Sequence, residues 1–379
     1  MRIGIDARLY GPEHTGLGRY ITNLVNHLLL SDKKNEYVLF VNTKHQNDFP
    51  KQDNLKIVCT NIPIYSFSEQ LILPIIFMSQ KLDLLHSPHF NTPLFYPGKL
   101  VITIHDLIKH KSKGSETTTR NPLIYQIIRL GYHFLSYLVV KKAAKIIVPT
   151  EYVKKELQQV LKVSPDKIKV TYESAESGIK KVSLDKQSAK SILDKYDLVQ
   201  PFLIYTGNVY PHKNLDILIE AVVEHNKNRE VDLVLAIVCA RSVFQERLKK
   251  KVDQLHAGDQ VKMLGFVDDA DLSKLYSLAL SLVHPSKMEG FGLTGLEAMS
   301  VGLPVISSNA SCLPEVYGDA CLYFDPNSKE DLIAKIEQLI QDIALRHKLS
   351  AAGPIQAKKY SWKKMTKETL NIYHEFSKQ

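Results

Sequence analysis

Glu289-Gly290-Phe291-Gly292-Leu293-Thr294-Gly295-Leu296-Glu297 places two carboxylates at the ends of a short glycine-rich segment, with seven residues between them. Residues 280–284 read as a buried strand leading into it, and residues 293–301 have the apolar spacing of a helix. A strand, a glycine loop and a helix start make an anion site. The free N–H groups of a first helical turn point at whatever precedes them, and the aligned peptide dipoles favour negative charge there. Glycines would let a diphosphate approach closely. The glutamates would repel phosphate, so they are expected to accept hydrogen bonds from hydroxyl groups such as those of a sugar or a ribose.

Other stretches offer related chemistry. Thr206-Gly207-Asn208-Val209-Tyr210-Pro211-His212-Lys213-Asn214-Leu215 repeats the order strand, loop, helix. Lys213 is a candidate anion ligand there, because the helix dipole disfavours a lysine at a helix start unless an anion is present. Ile104-His105-Asp106 ends another strand. Neighbours on a strand point to opposite faces, so one of His105 and Asp106 should face the site and the other the scaffold. Gly16-Leu17-Gly18-Arg19-Tyr20 follows the first strand but fails as a dinucleotide fingerprint. Its third glycine position is Ile21, the loop from Asp6 is too long, and the second strand ends Val41-Asn42-Thr43 without an acid for a ribose. It stands as a phosphate or sugar-approach loop. Asp269-Ala270-Asp271 has a D-x-D metal spacing but precedes a helical pattern at 272–276, so the acids are read as helix N-caps and no metal is expected.

The elements that must position these residues alternate. Strand-like runs at 2–6, 37–42, 56–60, 82–87, 100–105, 145–149 and 167–172 are interleaved with helical patterns at 17–30, 68–80, 121–143 and 151–161. After a Lys- and Ser-rich stretch near 176–198, strand-like runs resume at 202–206, 232–239, 261–266, 280–284, 304–307 and 321–324. Such alternation predicts an α/β chain with two Rossmann-like parallel-sheet domains. The expected boundaries are 1–178, 179–361, and a C-terminal helix at 362–379 returning to the first domain. Ligands of open parallel sheets bind beyond the carboxyl ends of the strands, so the active site is expected in a cleft that the two domains face.

Composition narrows the classes. A chain of 379 residues exceeds what one core usually supports. Four cysteines without C-x-x-C spacing argue against a disulfide framework or structural zinc. Met1-Arg2 runs directly into a strand with no apolar signal region, so the reading expects no secretory leader and a cytoplasmic location. Residues 1–181 carry 25 Lys and Arg against 15 Asp and Glu, or +10, while the remainder carries 24 against 25, or −1. A one-sided positive charge suits an anionic membrane surface or a phosphorylated acceptor, or else is a solvated face. Nucleic acid is not expected, because the basic half lacks the interleaved aromatic motifs of known binding modules. Residues 123–140 are apolar but interrupted by Gln126, Arg129, Gly131 and His133. They read as a core helix rather than a membrane span, with Lys109, Lys111 and Lys113 before it and Lys141, Lys142 and Lys145 after it placed to meet lipid headgroups.

Taken in order, Met1 to Arg8, Thr15 to Tyr20, Ser68-Glu69-Gln70, Ile104-His105-Asp106, Pro211 to Leu215 and the glutamate pair resemble a retaining glycosyltransferase of family 4 with the GT-B fold. The resemblance covers nearly the whole chain and is similar in style to bacterial polysaccharide mannosyl- and glucosyltransferases. It implies that Glu297 binds the ribose, and that Glu289 with the amides of Gly290, Phe291, Gly292 and Leu293 holds the transferred sugar and the diphosphate. Lys213 would neutralise the departing diphosphate, Gly16 and Gly18 would line phosphate and sugar, and His105 would approach the reacting carbon. Gly265-Phe266-Val267 would receive the nucleobase. Asn208 and His212 stand where many relatives have arginines, which lowers the charge available to the diphosphate, and Thr294 and Gly295 replace frequent prolines. The implied activity is metal- and cofactor-independent hexosyl transfer, GDP-mannose favoured, from a nucleotide diphosphate sugar to a saccharide acceptor, lipid-linked in cell-surface polysaccharide synthesis. The alternatives are a sugar-nucleotide 2-epimerase of the same fold and a catalytically silent nucleotide-sugar-binding subunit.

Overall fold

The computed structural model describes residues 1–111, 122–175, 178–227, 232–239 and 243–377. Lys113 and residues 121, 176 and 177, on which the sequence reading drew, lie outside them. The chain divides into two compact units, one of Met1–Glu173 with the segment from Ser361 onward, the other of Ser174–Tyr360.

The first unit holds a seven-stranded sheet of β1 (Arg2–Ala7), β2 (Glu36–Val41), β3 (Leu55–Cys59), β4 (Leu84–Ser87), β5 (Leu100–Thr103), β6 (Lys145–Val148) and β7 (Ile168–Val170), in the order β3-β2-β1-β4-β5-β6-β7. The second holds β8 (Phe202–Thr206), β9 (Val234–Val238), β10 (Val261–Gly265), β11 (Ser281–His284), β12 (Val305–Ser308) and β13 (Leu322–Phe324), in the order β10-β9-β8-β11-β12-β13. The pairings are parallel throughout. Strands of a parallel sheet covered on both faces read as continuous apolar runs, which is why β4, β5, β9, β11 and β12 are buried at every residue. In both sheets the order reverses beside the first strand, between β1 and β4 and between β8 and β11. Ligands of such sheets bind at the carboxyl ends beside such a reversal.

The helix Thr15–Ser31 buries Tyr20, Ile21, Leu24, Val25, Leu28 and Leu29, a spacing of three and four that lays one face on the sheet. The helix expected over 68–80 is divided into Phe67–Leu71 and Leu73–Ser79, because Pro74 cannot donate to a continuous ladder. The helix Trp362–His374 packs within the first unit. There the Tyr373 hydroxyl meets His86 Nδ1 at 2.5 Å, and His86 Nε2 meets Thr103 Oγ1 at 2.9 Å. Burial pushes His86 down to about 3, so it serves as a neutral hydrogen-bonding link.

Two expectations are corrected. The helix Asp269–Leu278 is capped by Asp268, whose carboxylate accepts from Asp271 N at 2.9 Å, so the D-x-D acids sit in its first turn rather than at its cap. Asp271 is instead bonded by Lys195, by Lys274 at 2.9 Å and by Tyr196 at 2.9 Å. The helix Pro122–Lys142 is not a core helix on all sides, since Leu130, Phe134 and Tyr137 lie exposed. Among the described residues no helix is long and apolar enough to cross a membrane.

Candidate active site

In the second unit the residues after β8 and after β11 form one bonded group. Asn214 adopts the left-handed conformation at φ 59°, and its buried side-chain amide donates to Pro285 O at 3.2 Å and Pro326 O at 2.8 Å. Lys287 N donates to His212 O at 2.8 Å. These bonds fix the short turn Pro211–Lys213 against the loop that carries Glu289. Lys213 Nζ then lies 2.6 Å from Glu289 Oε1, which also meets His284 Nε2 at 2.8 Å. His284, the last residue of β11, is oriented through Nδ1 by the Tyr317 hydroxyl at 2.8 Å. Glu289 N donates to Ser311 Oγ at 3.0 Å.

Electrostatics follow from that geometry. Burial works to push the Glu289 carboxyl up, but the Lys213 ammonium and the His284 ring outweigh it and hold it well below the usual carboxylate range. Glu289 is therefore an ionised acceptor rather than a proton donor at neutral pH. The anion that Lys213 meets is Glu289. The lysine ends the short turn Pro211–Lys213, and the helix proper is Leu215–Lys227. His212 lies half-buried with its ring stacked near Tyr210 at 5.9 Å, and burial with the neighbouring Lys213 lowers it to about 4. It is neutral at pH 7 and does not replace an arginine's charge. Asn208 Oδ1 is buried without a hydrogen-bond partner among the described residues, so this loop retains an unused acceptor.

Gly292 is left-handed at φ 92° as the N-cap of the helix Leu293–Ser300, and a Cβ there would lie 2.6 Å from the Tyr317 hydroxyl oxygen. At Gly295 the same oxygen would be 2.2 Å away. Both glycines make room for the tyrosine that bonds His284 and donates to Gly292 O at 2.7 Å. Gly290 and Phe291 are buried, with the Phe291 ring against Tyr360 at 5.5 Å, so Phe291 can offer a ligand only its backbone. Glu297 sits inside the helix Leu293–Ser300 and is buried. Gly265 ends β10 at φ 72° in open space, Phe266 is 80% exposed and Val267 is buried.

In the first unit Gly16 and Gly18 lie inside the first turns of the helix Thr15–Ser31. A Cβ on Gly18 would meet Gly11 O at 1.9 Å, so that glycine lets the helix close on the preceding turn. His105 is held on three sides. Its Nδ1 meets Glu173 Oε1 at 2.9 Å, its Nε2 meets Pro88 O at 3.2 Å, and Tyr20 packs edge-on at 4.6 Å. Both partners are acceptors, so the ring donates from both nitrogens as an imidazolium. Burial works against that charge, but Glu173 and Pro88 O outweigh it and raise the pKa. Asp106 turns to the scaffold, where Oδ1 accepts from Ile108 N at 2.9 Å. Beyond β1, Arg8 bonds Asp6 Oδ1 at 2.8 Å, Asp6 Oδ2 at 2.7 Å and Glu69 Oε1 at 2.7 Å, all buried.

The sequence reading did not single out His284, Tyr317, Ser311 or Glu173. His284 closes an apolar run and Glu173 follows a strand, which is a usable signal for both. Tyr317 and Ser311 lie in ordinary helix and loop contexts and carry none. Among the described residues no group of three or more His, Cys, Asp or Glu is placed to hold a metal ion.

Comparison with known proteins agrees with the geometry. Residues 189–356 match the family described as Glycosyl transferases group 1, and residues 14–174 match Glycosyltransferase Family 4. The chain is 29% identical over 376 residues to O-antigen chain mannosyltransferase B of Escherichia coli, covering 95% of this chain and 96% of that protein. Its fold is similar to that of sucrose-phosphate synthase from Thermosynechococcus elongatus, with a TM-score of 0.79, 18% identity and full coverage of both chains. It is also similar to Anabaena HepE crystallised with UDP-glucose, with a TM-score of 0.73, 16% identity, and coverage of 100% of this chain and 99% of that one. These structures share the GT-B fold of paired Rossmann-like units.

Proposed function

The chain belongs to glycosyltransferase family 4, and from that premise we propose that it moves a hexose from a nucleotide diphosphate sugar to a hydroxyl of a saccharide acceptor, with retention at the sugar carbon and without a metal. The observation that carries this reading is the Lys213–Glu289–His284 constellation at the strand reversal of the second unit. The incoming diphosphate takes Lys213 from Glu289, and the released carboxylate accepts hydrogen bonds from the hydroxyls of the transferred sugar. The amides of Gly290 to Leu293 and the Asn208 side chain complete the donor site, Glu297 holds the ribose, and the backbone at Gly265, Phe266 and Val267 receives the base. Breaking the bond from the sugar carbon to phosphate oxygen builds negative charge on the diphosphate, which a prearranged ammonium and amides stabilise. The acceptor oxygen bonds the same face of that carbon, and its proton passes to the departing phosphate oxygen. His105, held cationic by Glu173, is the first unit's contribution to transfer, together with Gly16 and Gly18.

The likeness to an O-antigen chain mannosyltransferase supports mannose as the sugar and a polysaccharide chain as the acceptor, and the reading completes these as GDP-mannose and a lipid-linked saccharide. The neutral His212 and Asn208 favour one second reading, a subunit that binds nucleotide sugar without turnover. The deciding experiment measures nucleotide release from GDP-, UDP- and ADP-sugars with and without a lipid-linked saccharide extract, in chelator, for wild type and Glu297→Ala. Acceptor-dependent release from one donor, lost in the variant, is expected. Binding without release would establish the silent subunit, and release that needs no acceptor would point to an epimerase.

A further inference from the structure

One buried hydroxyl joins the carboxylate and the glycine loop of the second unit's site. Tyr317, the last residue of the short helix Leu313–Tyr317, is fully buried and bonds both Gly292 O at 2.7 Å and His284 Nδ1 at 2.8 Å. His284 is 4% exposed, and its Nε2 meets Glu289 Oε1 at 2.8 Å.

The directions of these bonds fix where the protons are. A carbonyl oxygen only accepts, so Tyr317 gives its one proton to Gly292 O. The Tyr317 oxygen must then accept from His284, which puts a proton on Nδ1. An ionised Glu289 accepts from Nε2, which puts a second proton on the ring. A neutral His284 would leave one contact without a proton, either Tyr317 O against Gly292 O at 2.7 Å or a ring lone pair against the carboxylate at 2.8 Å. Both would oppose lone pairs where little water can relieve them. The proton does not pass to Glu289 instead, because Lys213 bonds the same oxygen at 2.6 Å and holds the carboxyl ionised. Neighbouring groups do not alter the count. Burial pushes Tyr205 of β8, Cys312 and Tyr317 up, so they keep their protons, and His212 is lowered to about 4 and is neutral.

We propose that His284 is an imidazolium and a positioning residue of the donor site, keeping Glu289 ionised and in place when a diphosphate draws Lys213 away. Lys213 and His284 set against one carboxylate leave the site a net positive charge, which offsets the neutral Asn208 and His212. Tyr317 fixes the second ring proton, since its own is committed to Gly292 O, and Gly292 and Gly295 clear the space that its hydroxyl occupies. The role toward diphosphate rests on the donor-site reading above, whereas the proton count stands on the bonds alone.

The test joins histidine nitrogen NMR on the isotope-labelled full chain, near neutral pH, with calorimetry of GDP and UDP binding. The His284 signal is assigned by its loss in His284→Gln or, should that variant fail to fold by thermal unfolding, by its shift in Tyr317→Phe. Both ring nitrogens of His284 should carry protons in the wild type, and only one in Tyr317→Phe, which removes the hydroxyl and keeps the ring. Affinity for the nucleotide that binds should fall on the order of tenfold in either variant, as one site charge is lost. Wild-type affinity should also weaken as rising pH removes the second ring proton, a dependence that His284→Gln and Tyr317→Phe should lack. A single proton on His284 in the wild type would overturn the proposal whether or not a nucleotide binds. So would binding that is equal in the wild type and both variants at every pH. A doubly protonated ring in a chain that binds neither nucleotide would uphold the proton count and remove the donor-site reading instead.

Discussion

The two sheets reverse strand order at the same place, yet their carboxyl ends treat positive charge in opposite ways. Beyond β1, the Arg8 guanidinium is buried and surrounded by Asp6 and Glu69, with a further bond to Ile62 O at 3.1 Å. Beyond β8, Lys213 meets the single carboxylate Glu289 and keeps 15% of its side chain exposed. A cation paired twice and desolvated is part of the scaffold, because removing a partner strands a buried charge. A cation paired once at the edge of solvent can exchange its partner for a ligand's anion. The same topology thus yields a fixed cluster in one unit and a singly paired lysine in the other, and the proposed diphosphate site rests on the second.

The largest expected effect tests the fixed cluster. Arg8→Met should cost about 3–5 kcal/mol of stability, read from denaturant midpoints, since Asp6 and Glu69 are left buried and uncompensated. An unchanged midpoint would erase the contrast between the units. Next, Lys213→Ala and Glu289→Gln should each lower transfer on the order of 10²- to 10³-fold. They should diverge in nucleoside diphosphate binding by calorimetry, where loss of Lys213 weakens it and loss of the Glu289 charge strengthens it by freeing the lysine. Equal weakening in both would mean that Glu289 does not compete with the diphosphate.

A smaller effect concerns His105. Its pKa is raised in the folded protein, so the stability it contributes is present below its ordinary value and is lost as pH rises through the raised one. Glu173→Gln should destabilise the protein more at about pH 6 than at about pH 9, and should move the alkaline limb of kcat/KM to lower pH. The smallest effect has the opposite sign. His212 is lowered to about 4, so between its ordinary value and about 4 the unfolded chain binds the proton first and stability falls as pH falls. His212→Asn should flatten that part of the denaturation profile, and an unaltered slope would place the titration elsewhere.

Much of this architecture was legible in the chain. Each of the thirteen apolar runs holds a strand, because a sheet covered on both faces demands near-continuous apolar residues. Less legible was the work of individual glycines and acids. Gly292 and Gly295 make room for Tyr317, a contact that the glycine spacing does not announce. Gly18 falls in the helical pattern at 17–30, but its close approach to Gly11 is not legible there. The capping acid proved to be Asp268, one position before the D-x-D pair. Each miss involves a partner distant in sequence or a boundary shifted by a residue or two, which local pattern does not specify.

Local sequence, through apolar periodicity and turn chemistry, determined the parallel α/β class, the strand ends on which Lys213, Glu289 and His105 are carried, and the basic character of the first half. Tertiary structure alone decided which charges meet. Only packing sets Lys213 against Glu289 across 76 positions, His105 against Glu173 across 68, and Arg8 against Glu69 across 61. Only packing likewise decided which apolar helical faces are buried and which are left at the surface. Periodicity marks a face without naming its partner, and an ionisable group's chemistry is set by neighbours that the chain brings together only when it folds.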